Sequence, residues 1–226
     1  MNNSRLLGLF FFVVLTIFGN CTLARNAGVL PFSMYQGKPV ILLGLEPKIE
    51  NKVMVERWTD FGGTANKGES SQQSATREFC EETMYVFKQE NPAFASKATV
   101  LPLINKAPFT ISNERVGYDI FFIQVPYIDA SFFEKEWNHL LKQRGAQWLR
   151  QKGIEKSNYA WVEVKELLDS LMIAQKNPNP MQRSIGVKVN SIDGRPLILY
   201  KNLTESLLTP PGLEALNTLL FSGLAL

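Results

Sequence analysis

The stretch from Trp58 to Tyr85 constrains this chain more than any other. Trp58-Thr59-Asp60-Phe61 reads as the end of a strand, and Gly62-Gly63 should hand it over to a loop. From Ser70 the pattern turns helical. Ser70 and Gln73 have the spacing of a capping box, in which side chains satisfy orphan backbone N–H groups, and the helix should run to about Thr83. Along it Glu78, Glu81 and Glu82 stand at i, i+3 and i+4, so three carboxylates share one face. Like charges at that spacing cost an isolated helix roughly 0.3 kcal/mol per pair. Arg77 offsets part of this, but Glu69 adds a further carboxylate. A solvated acidic face is the plain reading of such a helix. The sharper one is a site for a hard divalent cation, which takes carboxylate oxygens, keeps several waters and draws phosphate oxygens into the same shell.

The surroundings of the helix favour the second reading. Gly63, five residues, Glu69, seven residues and then Arg77-Glu78-Phe79-Cys80-Glu81-Glu82-Thr83-Met84-Tyr85 is similar to the Nudix box, G-x5-E-x7-R-E-U-x-E-E-x-G-U, where U is bulky and apolar. Six of its seven fixed positions match, and Phe79 and Tyr85 fill the apolar ones. Met84 stands where that pattern has Gly. A glycine after a helix end adopts the left-handed conformation cheaply, so Met84 implies a different helix exit or a modest strain.

The resemblance implies an α/β fold, an α/β/α sandwich with a mixed sheet, and a loop–helix–loop that holds Mg2+ or Mn2+ against a diphosphate. Carried over by position, Glu81 and Glu82 are the main metal ligands and Glu78 is a ligand or the catalytic base. The Gly62 carbonyl would face the metal. Arg77 would orient the glutamates, and Glu69 would support the loop or bind metal through water. The implied activity is hydrolysis of the diphosphate linkage in a small-molecule nucleoside diphosphate derivative. A bound cation neutralises that linkage and lowers the pKa of a coordinated water. Nudix enzymes differ in their final base, which often lies outside the box. Glu155, six residues ahead of Trp161, is the first outside candidate and Glu114 the second; both also read as ordinary loop glutamates. Two alternatives share the fold: a ligand-binding module without hydrolysis, and a diphosphoinositol or capped-RNA hydrolase. The net charge of +3 gives RNA little support.

The rest of the chain supplies a frame for this segment. Residues 1–24 read as a signal peptide, with one early positive charge, an apolar run from Leu6 to Phe18 and small residues at Thr22-Leu23-Ala24. Cleavage there would export the protein to the periplasm or medium, with no membrane span left; an uncleaved membrane anchor is the alternative. Residues 25–226 then form one domain with a C-terminal extension. Removing the leader leaves Cys80 as the only cysteine, so the mature domain cannot form an internal disulfide, and with His139 the only histidine a Cys/His zinc site is argued against. Strands are expected at 28–32, 39–45, 99–103, 117–125, 159–164 and 196–200, with a turn at Gln36-Gly37 and a polar loop over Ser112-Asn113-Glu114-Arg115. Helices are expected at 129–152, interrupted at Gly145, and at 165–174 and 211–221. Asn177 to Pro180 reads as a turn. The 129–152 helix could pack on the domain or join a homodimer. Lys67, Lys106 and Arg115 are candidate phosphate contacts as well as ordinary surface cations, and Asn202-Leu203-Thr204 is a chance-prone sequon.

Overall fold

The computed structural model describes residues 25–50, 52–176 and 186–221; the expected leader and the Asn177–Pro180 turn lie outside them. A seven-stranded sheet forms the centre: β1 (Asn26–Tyr35), β2 (Lys38–Glu50), β3 (Val53–Thr59), β4 (Phe61–Gly63), β5 (Phe109–Asn113), β6 (Tyr118–Gln124) and β7 (Asn158–Glu163). Its main path runs β3-β2-β1-β6-β5, with β4 added to β1 and β7 to β2. Among the described strands only β1 and β6 pair in parallel, with Val29 opposite Phe121, which makes the sheet mixed. The expected Gln36-Gly37 turn closes the β1–β2 hairpin, both residues having positive φ.

Strict alternation explains why these strands read as unbroken apolar runs. Val29, Val40, Leu42, Phe121 and Ile123 face one core, while Leu30, Ile41, Leu43, Ile120 and Phe122 face the other. The first core is closed by α1 (Ser71–Glu82), α2 (Lys97–Asn105), α3 (Ala130–Arg144) and α4 (Ala146–Gln151), through Ala75, Phe79, Val100, Ile104, Phe133 and Leu149. The second is closed by α5 (Val164–Lys176), α6 (Lys201–Leu207) and α7 (Pro210–Phe221), through residues such as Leu167, Leu171, Leu207, Leu216 and Leu219. A small hairpin of β8 (Lys188–Asn190) and β9 (Pro196–Ile198) completes that side. The result is the expected α/β/α sandwich. Among the described residues no helix is long and apolar enough to cross a membrane.

Three local expectations give way. Residues 99–103 are helical rather than extended. Ser96 and Thr99 form a capping box, and Val100 and Ile104, four apart, bury one helical face. The β-branched pair Thr99-Val100 suggested a strand, but capping and tertiary burial outweigh that weak preference. The polar segment around Ser112-Asn113 is partly strand: β5 buries Ile111 and Asn113, and the Asn113 amide donates to Ser206 Oγ at 3.0 Å. Only Glu114 to Gly117 remain as its turn. The strand expected at 196–200 stops at Ile198, and Tyr200 instead precedes α6. The helix break at Gly145 falls as expected.

The exit of α1 accounts for Met84. Met84 and Tyr85 both adopt left-handed backbone, with φ of 51° and 56°. A left-handed non-glycine residue costs about 1–2 kcal/mol. Met84, however, is only 7% exposed and packs in the same core as Phe79 and Phe87, and deleting a buried Met side chain costs about 2–5 kcal/mol. Packing therefore outweighs strain. Met84→Gly, although it restores the pattern's glycine, should destabilise the fold by about 1–3 kcal/mol in urea unfolding. A gain in stability on that substitution would show that strain governs this turn.

Candidate metal centre

The box loop and helix are built around Arg77. Its Nε and Nη2 donate to the two oxygens of Glu69 at 2.9 and 3.1 Å, a bidentate pair. Nη1 donates to Glu78 at 2.7 Å and lies 3.4 Å from Glu81, and Nη2 also reaches the Thr64 carbonyl at 2.9 Å. One guanidinium thus ties the loop to three carboxylates. Glu69 also accepts from the Asn66 N–H at 2.7 Å. Ser70 and Gln73 form the expected capping box, which fixes where the helix starts. Lys97 of α2 donates to Glu81 at 2.6 Å.

Gly63 is required by its neighbour. A Cβ there would lie 2.4 Å from Glu78 Oε1, so the carboxylate rests directly against bare backbone. Gly62 sits in β4 opposite Gly28, and the two together clear space for the Tyr118 hydroxyl, which donates to Asp60 at 2.8 Å. Gly44 does the same for Lys156, whose Cγ would be 2.8 Å from a Cβ on that residue.

Behind the box lies a second, buried charge cluster. Lys156 is fully buried, with its ammonium 2.5 Å from Glu46 and 3.2 Å from Glu82. Glu46 also meets Lys48. Burial alone would raise the Glu46 pKa, but the two lysines hold it below its ordinary value. Burial likewise favours a neutral Lys156, and the carboxylates of Glu82 and Glu46 reverse this and keep it charged. Glu82 is the acid left over. It is 2% exposed, its Oε2 is buried with no hydrogen-bond partner, and burial drives its pKa well up, only partly opposed by Lys156. Glu78 is raised too, first by burial, against the pull of Arg77 and with the push of Glu81 and Glu155. In both, loss of water around the carboxylate outweighs the neighbouring cation.

The structure brings together most of the residues that the sequence singled out. Glu69, Glu78 and Glu81 converge on Arg77. Glu155, forecast as an outside base, lies exposed beside buried Glu46 and Glu82, with carboxylate oxygens of the three within 4.8 Å of one another. Glu114 does not join them and instead pairs with Arg25 at 2.7 Å. Of the forecast cations, Lys67 lines a cleft of about 430 Å3 with Arg77 and Lys97, whereas Arg115 pairs with Glu205. Glu46 and Lys156 went unnoticed. A glutamate closing the apolar run of β2 was the one available signal, since 110 positions separate the pair. Cys80 is buried, with its thiol pushed up to about 12 by burial, and takes no part in the site.

A smaller cleft of about 190 Å3 opens beside the buried cluster, lined by Glu46, Asp60, Gly63, Tyr118, Tyr200 and Asn202. The last two lie at the start of α6. Lys48 lies over the Tyr200 ring at 5.1 Å from its centroid.

No family model and no curated protein matches the chain. Among solved structures it is similar to a C. elegans Ap4A hydrolase in a binary complex, at 18% identity and a TM-score of 0.36, over 64% of this chain and 84% of that one. It is also similar to a mutT/nudix family protein from Listeria innocua, at 14% identity and a TM-score of 0.31, over 64% and 80%. At likenesses this slight, function has to be read from the site's own residues.

The Arg77–Glu69 pair makes a pH-dependent contribution to stability. Hydrogen bonds from Arg77 hold Glu69 down to about 2, against an ordinary value of 4.5. Its contribution is therefore complete above about pH 4.5 and is lost as pH falls towards 2. Solvent screening reduces it to about 1 kcal/mol. In metal-free buffer, wild type should exceed Glu69→Gln by that amount at pH 6, and the gap should close between pH 4.5 and 2 in urea titrations. A gap independent of pH would exclude the ion pair as its cause.

Proposed function

We propose that this chain is a metal-dependent hydrolase that cleaves the diphosphate linkage of a nucleoside diphosphate joined to another moiety. One observation carries the reading: the box helix gathers Glu78 and Glu81 at Arg77 and sets Glu82 beside Glu46 and Glu155, with Glu82 Oε2 buried without a partner. The donor set is all oxygen, as Mg2+ or Mn2+ requires. Glu78, Glu81 and Glu82 would hold the ion, with Glu69 and the Gly62 carbonyl in support. When bound, such an ion neutralises the diphosphate and lowers the pKa of a water that it holds.

The chain's own groups do the remaining work. Arg77 keeps Glu69, Glu78 and Glu81 oriented before substrate arrives, so little reorganisation is needed during reaction. Glu155 is the one exposed member of its carboxylate group, and its carboxylate accepts the proton of the attacking water as general base. Lys67, Lys97 and Arg77 line the larger cleft with positive charge suited to phosphate oxygens. Tyr200 and Asn202 give the smaller cleft a wall on which the non-reacting moiety can rest.

The test is release of phosphate or mononucleotide from nucleotide sugars, ADP-ribose, dinucleoside polyphosphates and NADH with Mg2+. Turnover should appear on at least one of these and vanish with chelator. Glu81→Gln and Glu155→Gln should each lower it by about a hundredfold or more. Full turnover in Glu155→Gln would remove that residue from the mechanism. Binding of a panel member with no product released would identify a ligand-binding module instead.

The C-terminal wall has its own signature. Tyr200→Ala should raise KM by up to about tenfold while leaving kcat in place, because stacking on a non-reacting moiety is binding shared by ground and transition states. A fall in kcat at unchanged KM would place Tyr200 in the chemistry.

A further inference from the structure

We infer that the ammonium of Lys156 is a built-in cation, occupying between Glu46 and Glu82 the place that a second divalent ion would otherwise take. Lys156 is fully buried, while Glu46 is 6% exposed and Glu82 2%. Its Nζ lies 2.5 Å from Glu46 and 3.2 Å from Glu82. Carboxylate oxygens of Glu46, Glu82 and Glu155 lie within 4.8 Å of one another, a spacing that could hold a metal ion. The ammonium reaches this group along an aliphatic stem laid against Gly44, where any side chain would collide with it. It accounts for Glu82 Oε1 alone. Glu82 Oε2 is buried without a partner and is therefore the oxygen left for a metal ion. Wild type would thus take up an ion through Glu82 Oε2 and the box glutamates, while Lys156 closes the inner position.

Removing the ammonium without removing the acids should open that position. Lys156→Met keeps the apolar stem but takes away the cation that Glu46 and Glu82 share, leaving Lys48 on Glu46 alone. Mn2+ binding, followed by the paramagnetic resonance of the free ion, should show one more ion per chain in Lys156→Met than in wild type. Lys156→Gln should behave in the same way. Thermal melting should depend on Mn2+ more steeply in both variants than in wild type, since an ion that binds only the folded chain stabilises it by mass action. The double variant Glu46→Gln/Lys156→Met removes one acid along with the ammonium and should return to the wild-type ion count.

Equal ion counts in wild type and both single variants would overturn the inference. So would single variants that stay unfolded in millimolar Mn2+, because no ion would then have replaced the ammonium. The inference rests on the proposed metal site, and the two fail differently. A wild-type chain that binds no Mn2+ sinks the metal site, whereas a wild type that binds it with variants that gain nothing sinks only the role of Lys156.

Discussion

The buried ammonium of Lys156 is the interaction on which the site depends. An isolated charge in that position would cost several kcal/mol, and so would either carboxylate beside it. They are tolerated because the ammonium relieves both carboxylates and they relieve it, and the arrangement holds only if three elements meet. Glu46 comes from β2, Glu82 from the last turn of α1, and Lys156 from the approach to β7. Tyr159 reinforces the meeting, since its buried hydroxyl donates to the Glu82 carbonyl at 2.6 Å and has the Lys156 carbonyl at 3.2 Å. The end of the box helix is thus anchored both by side-chain charge and by main-chain oxygen.

That anchoring divides the acidic helix into two functional sides. Glu78 and Glu81 are bound to Arg77, with Glu78 largely buried and Glu81 partly exposed beside Lys97. Glu82 points to the interior, where its cation is Lys156, shared with a Glu46 that also meets Lys48. A solvated acidic face would have all three glutamates exposed, and its charge would be screened by water. Burial of Glu78 and Glu82 removes that explanation.

The sequence was most informative where the determinants are local. The capping box at Ser70, the i, i+3, i+4 glutamates and the strict alternation of β1, β2 and β6 all depend on neighbours a few residues apart, and all appear in the structure. The same local reasoning misread residues 99–103, because Thr99-Val100 has strand character until Ser96 caps a helix and the core claims Val100 and Ile104. It was blind to the partnership of Glu46 with Lys156, which depends on β2 pairing with β7 and on Gly44 leaving room. Glu155 lies between these cases. Its type and loop position suggested a base, but only the pairing that places Lys156 brings it beside Glu82.

Met84 shows how a departure from a motif can be absorbed. The pattern's glycine serves a left-handed exit from the helix, and this chain keeps the left-handed exit while discarding the glycine. It does so by extending the turn over Met84 and Tyr85 and seating Met84 in the core that holds Phe79 and Phe87. The backbone strain is then offset by burial of the side chain that causes it. Because Thr83 still caps the helix and Glu82 lies ahead of the strained residues, the carboxylates keep their positions. The departure therefore changes what stabilises the turn without entering the acidic helix.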